Sequence, residues 1–499
     1  MKRYITLLFL TVFSGILYAQ TADDALRYSQ QFYTGTARST AMGGAFGALG
    51  GDFSSIGINP AGLGVYQSSE FMFTPSMEMR KSTSGNLSDD KFTFGISNIG
   101  YVATFKPRMT SKDGWQNFNL GIGYNRINNF RKSSISQILN SESSMLDVFE
   151  VNADGFSDNQ LRVNYPTVEY LAYETYLLNP QDENPLDYDL PIFPGERMNQ
   201  RKTVEERGHM GEFNISFGAN YAHKLYIGAS LGIQSINYKS TARFTESTLT
   251  NSASDLSNYY LEEYVKTTGV GANLKLGLIY KPNQNIRLGA SLHTPTFFSM
   301  EDEFQNRMAS HFKTEDLDGY SNYADKTRLS NYTYDYRTPM KFTLSGAVVL
   351  SKKAILSLDY EFVDYSNAKF SDGQDDFDFN GSAEFPEAND IIKSSYESVG
   401  NLRAGLEYRV SSALSLRGGF ANFGNPYKAS SIDESYNIYS AGFGIRQGNF
   451  FFDAAYSYSD KDESYIYYST PTADGDLTSG KVDLQDENHQ VRLTFGFKF

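Results

Sequence analysis

The sequence predicts an all-β fold, a transmembrane antiparallel β-barrel of about fourteen strands with an N-terminal hatch in its lumen. Three observations predict it. Apolar and polar residues alternate with a period of two from about residue 69 to the last residue. The connections between the alternating segments are short and long in turn, as on the two rims of an outer-membrane barrel. Beyond the N-terminus, no run of about twenty apolar residues offers a membrane-spanning helix.

The N-terminus has the pattern of a secretory signal peptide, residues 1–19. Lys2 and Arg3 precede an apolar run that ends at Tyr18, and Ala19 places a small residue before a cleavage point at Gln20. The sequence therefore predicts an exported protein.

Residues 20–67 do not alternate and form the predicted hatch. The segment contains a glycine- and alanine-rich stretch, residues 41–52, which permits close backbone packing. A flexible periplasmic tail is the alternative, but Phe46, Leu49 and Phe53 are too apolar for a solvated linker. We therefore expect this segment to fold into the lumen.

The predicted barrel, residues 68–499, is clearest in its last segment, where Val491, Leu493 and Phe495 alternate with Arg492 and Thr494. A soluble β-sandwich alternates in the same way, so the connections decide between the two folds. The short ones lie near residues 222–224, 281–285, 352–353, 411–413 and 448–449, and the long ones near 129–207, 241–262, 301–330, 367–395 and 469–487. The alternation of short and long connections favours the barrel and predicts about fourteen strands, to within about two.

A short motif stands directly ahead of the first predicted strand, Asn59-Pro60-Ala61-Gly62-Leu63. Together with residues 289–295 and 338–346, it resembles the long-chain fatty acid outer-membrane transporter family (FadL-type) over nearly the whole mature chain. The resemblance implies that the hatch contains Asn59, Pro60 and Ala61, with Gly43, Gly44 and Asp52 packing it. The alternative is that these residues only hold the fold of the plug.

The same resemblance implies passive uptake of small hydrophobic molecules, such as long-chain fatty acids, through a hatch-gated barrel in the bacterial outer membrane. The implied partners are outer-membrane lipid and a hydrophobic ligand, and no cofactor is implied. A closed barrel is expected to function as a monomer. The rival interpretation is an outer-membrane interaction protein, a cargo shuttle or scaffold for secretion.

One segment of the wall is a candidate lateral opening. The alternation changes phase between Phe92 and Phe105, so an extra residue near Ser97, Asn98, Ile99 and Gly100 predicts a β-bulge that interrupts the strand ladder. An ordinary bulge at the barrel rim is the alternative interpretation.

The longest loop, residues 129–207, carries two helix-like patterns. The first includes Ile135, Ile138 and Leu139, and the second includes Leu171. Their apolar faces predict a groove that captures a ligand above the barrel mouth. The alternative is that they pack on each other and cap the barrel.

Composition excludes several other classes of function. The chain has 44 basic against 58 acidic residues, which disfavours a nucleic-acid partner, and it has no cysteine. The five histidines are scattered, and no catalytic motif is present, so the sequence does not predict an enzyme. A weak candidate for calcium is the acidic loop with Asp376, Asp378, Asn380 and Glu387, although its flanks do not predict helices, and a solvated loop is the simpler interpretation.

Overall fold

The computed structural model describes residues 21–32, 35–107, 113–164, 168–351, 353–372, 385–429, 433–472 and 475–499. The predicted signal peptide, residues 1–19, lies outside the described residues. No helix in this described part of the chain is long and apolar enough to cross a membrane.

The described residues form fourteen wall strands, as the sequence predicts. In chain order they are β1 (Glu70–Ser84), β2 (Leu87–Phe105), β3 (Trp115–Asn129), β4 (Met198–Tyr221), β5 (Leu225–Thr248), β6 (Leu256–Tyr280), β7 (Ile286–His293 and Phe297–Phe312), β8 (Ser330–Arg337 and Lys341–Leu350), β9 (Ala354–Asp364 and Lys369–Ser371), β10 (Ser398–Arg409), β11 (Leu414–Phe423), β12 (Tyr436–Gln447), β13 (Phe450–Ile466) and β14 (Lys481–Lys498). Each strand pairs antiparallel with the next, and β14 pairs with β1, so the barrel is closed.

The short turns lie where the sequence places them, between β4 and β5, β6 and β7, β8 and β9, β10 and β11, and β12 and β13. The predicted long loops are shorter than expected. Residues 241–262 and 301–330 are largely strand, because β5, β6 and β7 continue beyond the membrane with polar residues on both faces. The loop at 469–487 likewise gives way to β14 at Lys481.

The outer surface of the wall is apolar. Its strands expose a belt of side chains that are each at least 40% exposed, including Phe213, Ile215, Phe217, Leu274, Leu276, Leu278, Leu356, Leu358, Tyr360 and Phe362. Aromatic rings cluster at the rim that carries the short turns, where the ring centroids of Trp115 and Tyr221 lie 5.3 Å apart. A closed barrel with an apolar belt and an aromatic girdle is a multi-pass protein of the bacterial outer membrane.

The longest loop forms a helical cap on the opposite rim. It contains α3 (Met145–Ala153), α4 (Asp158–Asn164) and α5 (Val168–Glu174). These helices share one buried cluster with the upper ends of the strands, whose members include Leu146, Phe149, Leu171, Ala172, Met198, Tyr259, Leu261 and Met308. The cap is therefore packed onto the barrel rather than held away from it.

A buried carboxylate anchors this cap. Glu246, at the upper end of β5 and beyond the apolar belt, accepts hydrogen bonds from the Ser144 hydroxyl at 2.7 Å, from Gln200 Nε2 at 2.7 Å and from the Tyr259 hydroxyl. Burial outweighs these donors and raises the pKa of Glu246 to about 7.

The raised pKa predicts a cap that loosens as the pH rises. The folded cap binds the proton of Glu246 more tightly than the unfolded chain, so its contribution to stability is complete below the ordinary carboxyl range and is lost as the pH rises to about 7. We expect the protection factors of the α3 amides, which are corrected for the intrinsic acceleration of exchange with pH, to fall between about pH 5 and about pH 7 in the wild type. The Glu246→Gln variant should lose this dependence, whereas Glu262→Gln, in an exposed ion pair with Arg243, should keep it. The same pH dependence in Glu246→Gln and the wild type would contradict the assignment.

The lumen contains three layers below the cap. The upper one is an aromatic layer around α1 (Ala22–Ser29) and α6 (Pro386–Ser395), formed by Tyr28, Phe130, Tyr238, Phe298, Tyr334, Tyr336, Phe370, Phe385 and Tyr396. A cavity lies beneath it. The floor is residues 35–66, with α2 (Ala37–Ala41) and two 3-10 turns, Phe53–Gly57 and Pro60–Val65.

Candidate functional site

The floor of the lumen is the segment that the sequence predicts as the hatch. Two polar residues shape it locally. The Asp52 carboxylate accepts from the Ser54 amide at 3.0 Å and from the Thr36 hydroxyl at 2.8 Å, which starts the first 3-10 turn. Asn59 caps the second turn by accepting from the Ala61 amide at 3.1 Å, and Pro60 occupies its first position.

Asn59 also joins the floor to the wall. Its Nδ2 donates to the carbonyl of Gly47 at 2.7 Å, to that of Leu278 in β6 at 3.1 Å and to that of Ala290 in β7 at 3.3 Å. A neighbouring strand residue, Gly277, leaves room for it, because a Cβ there would lie 2.0 Å from Asn59 Oδ1. The motif asparagine therefore bridges two wall strands and the floor.

Glycines line the wall at many of its contacts with the floor. The set consists of Gly100, Gly121, Gly123, Gly218, Gly228, Gly277, Gly289, Gly405, Gly419 and Gly442. At Gly419 in β11, a Cβ would stand 2.1 Å from the Gly43 amide nitrogen. Gly43 itself has a φ of +62°, which favours glycine, and Gly44 follows with +75°. The close contact between floor and wall depends on these missing side chains.

A buried charge network holds the other side of the floor. Arg38 of α2 donates from Nε to Glu407 Oε2 of β10 at 2.9 Å. Arg417 of β11 donates to the same carboxylate at 2.7 Å and to Asp453 of β13 at 2.5 Å. One hatch cation and one wall cation therefore share a single wall carboxylate.

The cavity above the floor has a volume of about 420 Å³. Gly43, Gly44 and Thr40 form its base, and Leu26 and Arg27 of α1 reach it from above. This size lies in the range of small-molecule sites, roughly 300–1,000 Å³. The cavity is the candidate ligand site in the described part of the chain.

Two arcs of wall line this cavity with opposite character. The arc formed by β11 and β12 is apolar. The rings of Phe423 and Tyr436 stack with their centroids 5.0 Å apart, and the ring centroid of Phe32, in the N-terminal segment, lies 5.5 Å from that of Phe423. The arc formed by β14, β1 and β3 is charged, and its members include Glu78, Arg80, Arg126, Lys132, Asp486 and Arg492. The lining of this cavity is therefore mixed rather than wholly apolar. The site suits a molecule with an apolar body and one polar group.

The predicted bulge lies in β2 beside the charged arc. In the ladder between β1 and β2, Thr74 faces Asn98 and Pro75 faces Ile96, so Ser97 is the extra residue. Ile99 and Gly100 continue the strand below it.

The ladder between β2 and β3 ends at the same point. It runs from Phe105 paired with Phe118 to Asn98 paired with Asn125, and in the described residues β2 above Asn98 pairs only with β1. We call the resulting gap, between residues 91–97 and residues 126–133, the wall window.

Polar contacts bound the wall window at both ends. Below it, Asn98 Nδ2 donates to Asn125 Oδ1 at 2.7 Å. Above it, the Ser133 hydroxyl donates to Asp89 at 2.5 Å, and Lys91 forms an ion pair with Glu205. Its lip faces lipid with apolar side chains, Phe92 at 64%, Phe94 at 65% and Ile96 at 46% exposed.

The predicted capture groove is wrong in its helical part. Ile135, Ile138 and Leu139 lie on a strand, Lys132–Ser141, because this segment extends β3 and pairs with β4. Leu171 lies in α5, as predicted, but it is fully buried in the cap cluster. Leu139 is 64% exposed, so these residues do not share one groove.

The acidic loop offers no calcium site within the described residues. Asp376, Asp378 and Asn380 lie outside them, and Glu387 lies in the first turn of α6, whose presence contradicts the expectation that no helix flanks this loop. The described part of the chain contains no group of three or more acidic or histidine side chains placed to hold a metal ion.

Known structures provide an external comparison for this arrangement. The chain is similar to a Pseudomonas aeruginosa FadL homologue, with a TM-score of 0.52 and 12% identity over 93% of this chain and 98% of that one. It is also similar to the Pseudomonas putida toluene transporter TodX, with a TM-score of 0.50 and 13% identity over 94% of this chain and 100% of that one. The fold is FadL-type. No protein-family model matches the sequence, and no curated protein matches it.

Within this FadL-type fold, several site residues escape sequence reasoning. Phe32, Phe423 and Tyr436 meet only in three dimensions, from segments about four hundred residues apart. Arg126 is one of 44 basic residues, and only its place on the strand beside the predicted bulge distinguishes it.

Proposed function

We propose that this protein is a transporter of the FadL type that lets small hydrophobic molecules cross the outer membrane without an energy source or a catalytic step. The observation that carries the proposal is the wall window with its apolar lip beside the cavity. The toluene transporter whose fold this chain shares supports the same class of solute.

The proposed exit is sideways, through the wall window. The floor is bonded to the wall by Asn59, by Arg38 and by the Ala37 amide, which donates to Thr494 of β14 at 2.7 Å. A solute that left straight through the floor would have to break all of these contacts together. At the wall window, by contrast, no strand ladder has to be broken. Ser97, Asn98, Ile99 and Gly100 then mark the lower edge of the lateral opening. Phe92 and Phe94 offer a solute an apolar surface toward lipid.

The proposed ligands have an apolar body and at most one polar or anionic group, with long-chain fatty acids as the first class to test. The aromatic arc at Phe423 and Tyr436 would hold the body. Arg492 would face the polar group, since its present acceptors, Thr40 at 2.6 Å and Gln490 at 2.5 Å, are both neutral. One chain supplies the described wall and cavity, so the proposed transporter needs no second subunit to complete either.

Uptake into cells tests this function. Cells that lack other transporters of this type would produce the wild type, no protein, or a variant without residues 20–67. Two probes are used, labelled oleate and the neutral aromatic dye N-phenyl-1-naphthylamine. We expect the wild type to raise initial uptake of at least one probe several-fold, and the deletion to add leakage of ions. Equal uptake with and without the protein for both probes would overturn the proposal and leave the secretion shuttle as the leading function.

A further inference from the structure

An arginine lies across the inner side of the wall window. Arg126 directly follows Asn125, the last residue of β3 that pairs with β2. Its Nη2 donates to the Ser76 hydroxyl of β1 at 3.0 Å and to the Ser97 hydroxyl of β2 at 3.4 Å, and it lies 3.9 Å from Glu78 of β1. Since β2 lies between β3 and β1 in the wall, this side chain crosses the full width of β2 on the luminal side.

The strand beneath the arginine leaves room for it. Gly95 of β2 faces Ser76 of β1 in the ladder, and a Cβ at Gly95 would lie 2.8 Å from Arg126 Nη1. The guanidinium group therefore rests directly on the β2 backbone, immediately above the bulge at Ser97. Any larger residue at position 95 would push it toward the cavity.

The N-terminal segment holds the backbone that carries Arg126. In the ladder between β3 and β4, Arg126 faces Gly211 and Asn128 faces Met210, so Ile127 is a second bulge. The Phe32 amide donates to the Ile127 carbonyl at 2.8 Å, and Asn128 Nδ2 donates to the Gln30 carbonyl at 3.4 Å. Residues 30–32 thus fix the bulge from the luminal side.

We propose that Arg126 is a bar that closes the wall window and that a solute leaves the cavity only when its guanidinium group swings away from Ser76 and Ser97. The bar lines both the window and the cavity, so it stands between the bound solute and the bilayer. This inference rests on the proposed transport function.

Removing the bar should accelerate exit. Hydrogen bonds of a charged group hold the closed state, so we expect Arg126→Ala to raise the initial rate of N-phenyl-1-naphthylamine or oleate entry into the membrane by about tenfold. Gly95→Ala keeps the charge but displaces the guanidinium group, and it should raise the rate in the same direction by less. Arg243→Ala removes an arginine outside the cavity, one paired with Glu262 on the exposed part of the barrel, and should leave the rate unchanged.

Chemical restoration of the bar separates gating from folding. The chain has no cysteine, so Arg126→Cys creates one reactive thiol. We expect its raised rate to fall when aminoethyl methanethiosulfonate adds a cationic side chain, with no effect of the reagent on the wild type. Heat-modifiable gel mobility confirms that each variant is a folded barrel.

The outcomes distinguish this inference from the function on which it rests. If the wild type transports neither probe, the proposed function is wrong. If the wild type transports a probe and folded Arg126→Ala is equally fast or slower, the bar is wrong while the function stands. If Arg126→Cys is fast and the reagent does not slow it, the arginine only supports the wall, and the bar is again wrong.

Discussion

A leucine at Gly419 is expected to unseat the hatch and make the barrel leak ions, whereas a leucine at the adjacent Gly418 is expected to do neither. The two glycines share β11 but face opposite ways. A Cβ at Gly419 would lie 2.1 Å from the Gly43 nitrogen and 2.3 Å from the Met42 carbonyl carbon, both backbone atoms, while a Cβ at Gly418 meets nothing within 4 Å. Backbone atoms of the floor cannot yield as the end of a flexible side chain can.

The size of this effect follows from overpacking. Even one extra methyl group in a tight contact costs about 1–3 kcal/mol, so Gly419→Ala should loosen the floor and Gly419→Leu should displace it. The measurement is ion conductance of the purified barrels in planar bilayers, together with sensitivity of cells to a large antibiotic that the outer membrane normally excludes. Equal, low conductance of Gly419→Leu and Gly418→Leu would show that the floor does not seal the lumen through this contact.

The wall could be predicted from the sequence because its signal is local. Lipid contact requires an apolar residue at every second position, and the short turns at residues 222–224 and 448–449 follow directly from where that alternation stops. The upper halves of β4, β5 and β6 lack this signal. Above the membrane both faces of a strand meet water, so Arg201, Lys202 and Glu205 look like a loop although they pair with β5.

The error at Ile135 and Ile138 has a similar cause. A spacing of three residues is typical of a helix face, but pairing with β4 overrides it and makes this segment a strand. The turn that Asn59 and Pro60 begin depends on local capping, and the family resemblance is what assigns this motif to the hatch. Its wall partners were not predictable, since Gly277 and Gly419 lie more than two hundred residues further along the chain.

Loss of Glu407 is expected to produce the largest fall in stability of any single wall side chain that contacts the floor. This carboxylate of β10 accepts from Arg38 at 2.9 Å and from Arg417 at 2.7 Å, and all three side chains are largely buried. Truncating one partner of a buried ion pair costs about 3–5 kcal/mol because it leaves the other charge without compensation. Glu407→Ala removes the ion-pair partner of Arg38 in the floor, whereas Arg417 keeps its contact with Asp453.

The measurement is the temperature at which heat-modifiable gel mobility is lost, compared with Glu262→Ala. Glu262 pairs with Arg243 on the exposed part of the barrel, where an ion pair contributes about 0–1 kcal/mol, so that variant should resemble the wild type. A double variant with Arg38→Ala removes the stranded hatch cation and should recover part of the loss. If Glu407→Ala and Glu262→Ala lose heat-modifiable mobility at the same temperature, the charge network does not hold the floor. If the double variant is no more stable than Glu407→Ala, the cost arises within the wall at Arg417, and the hatch is held by its glycine contacts and Asn59 instead.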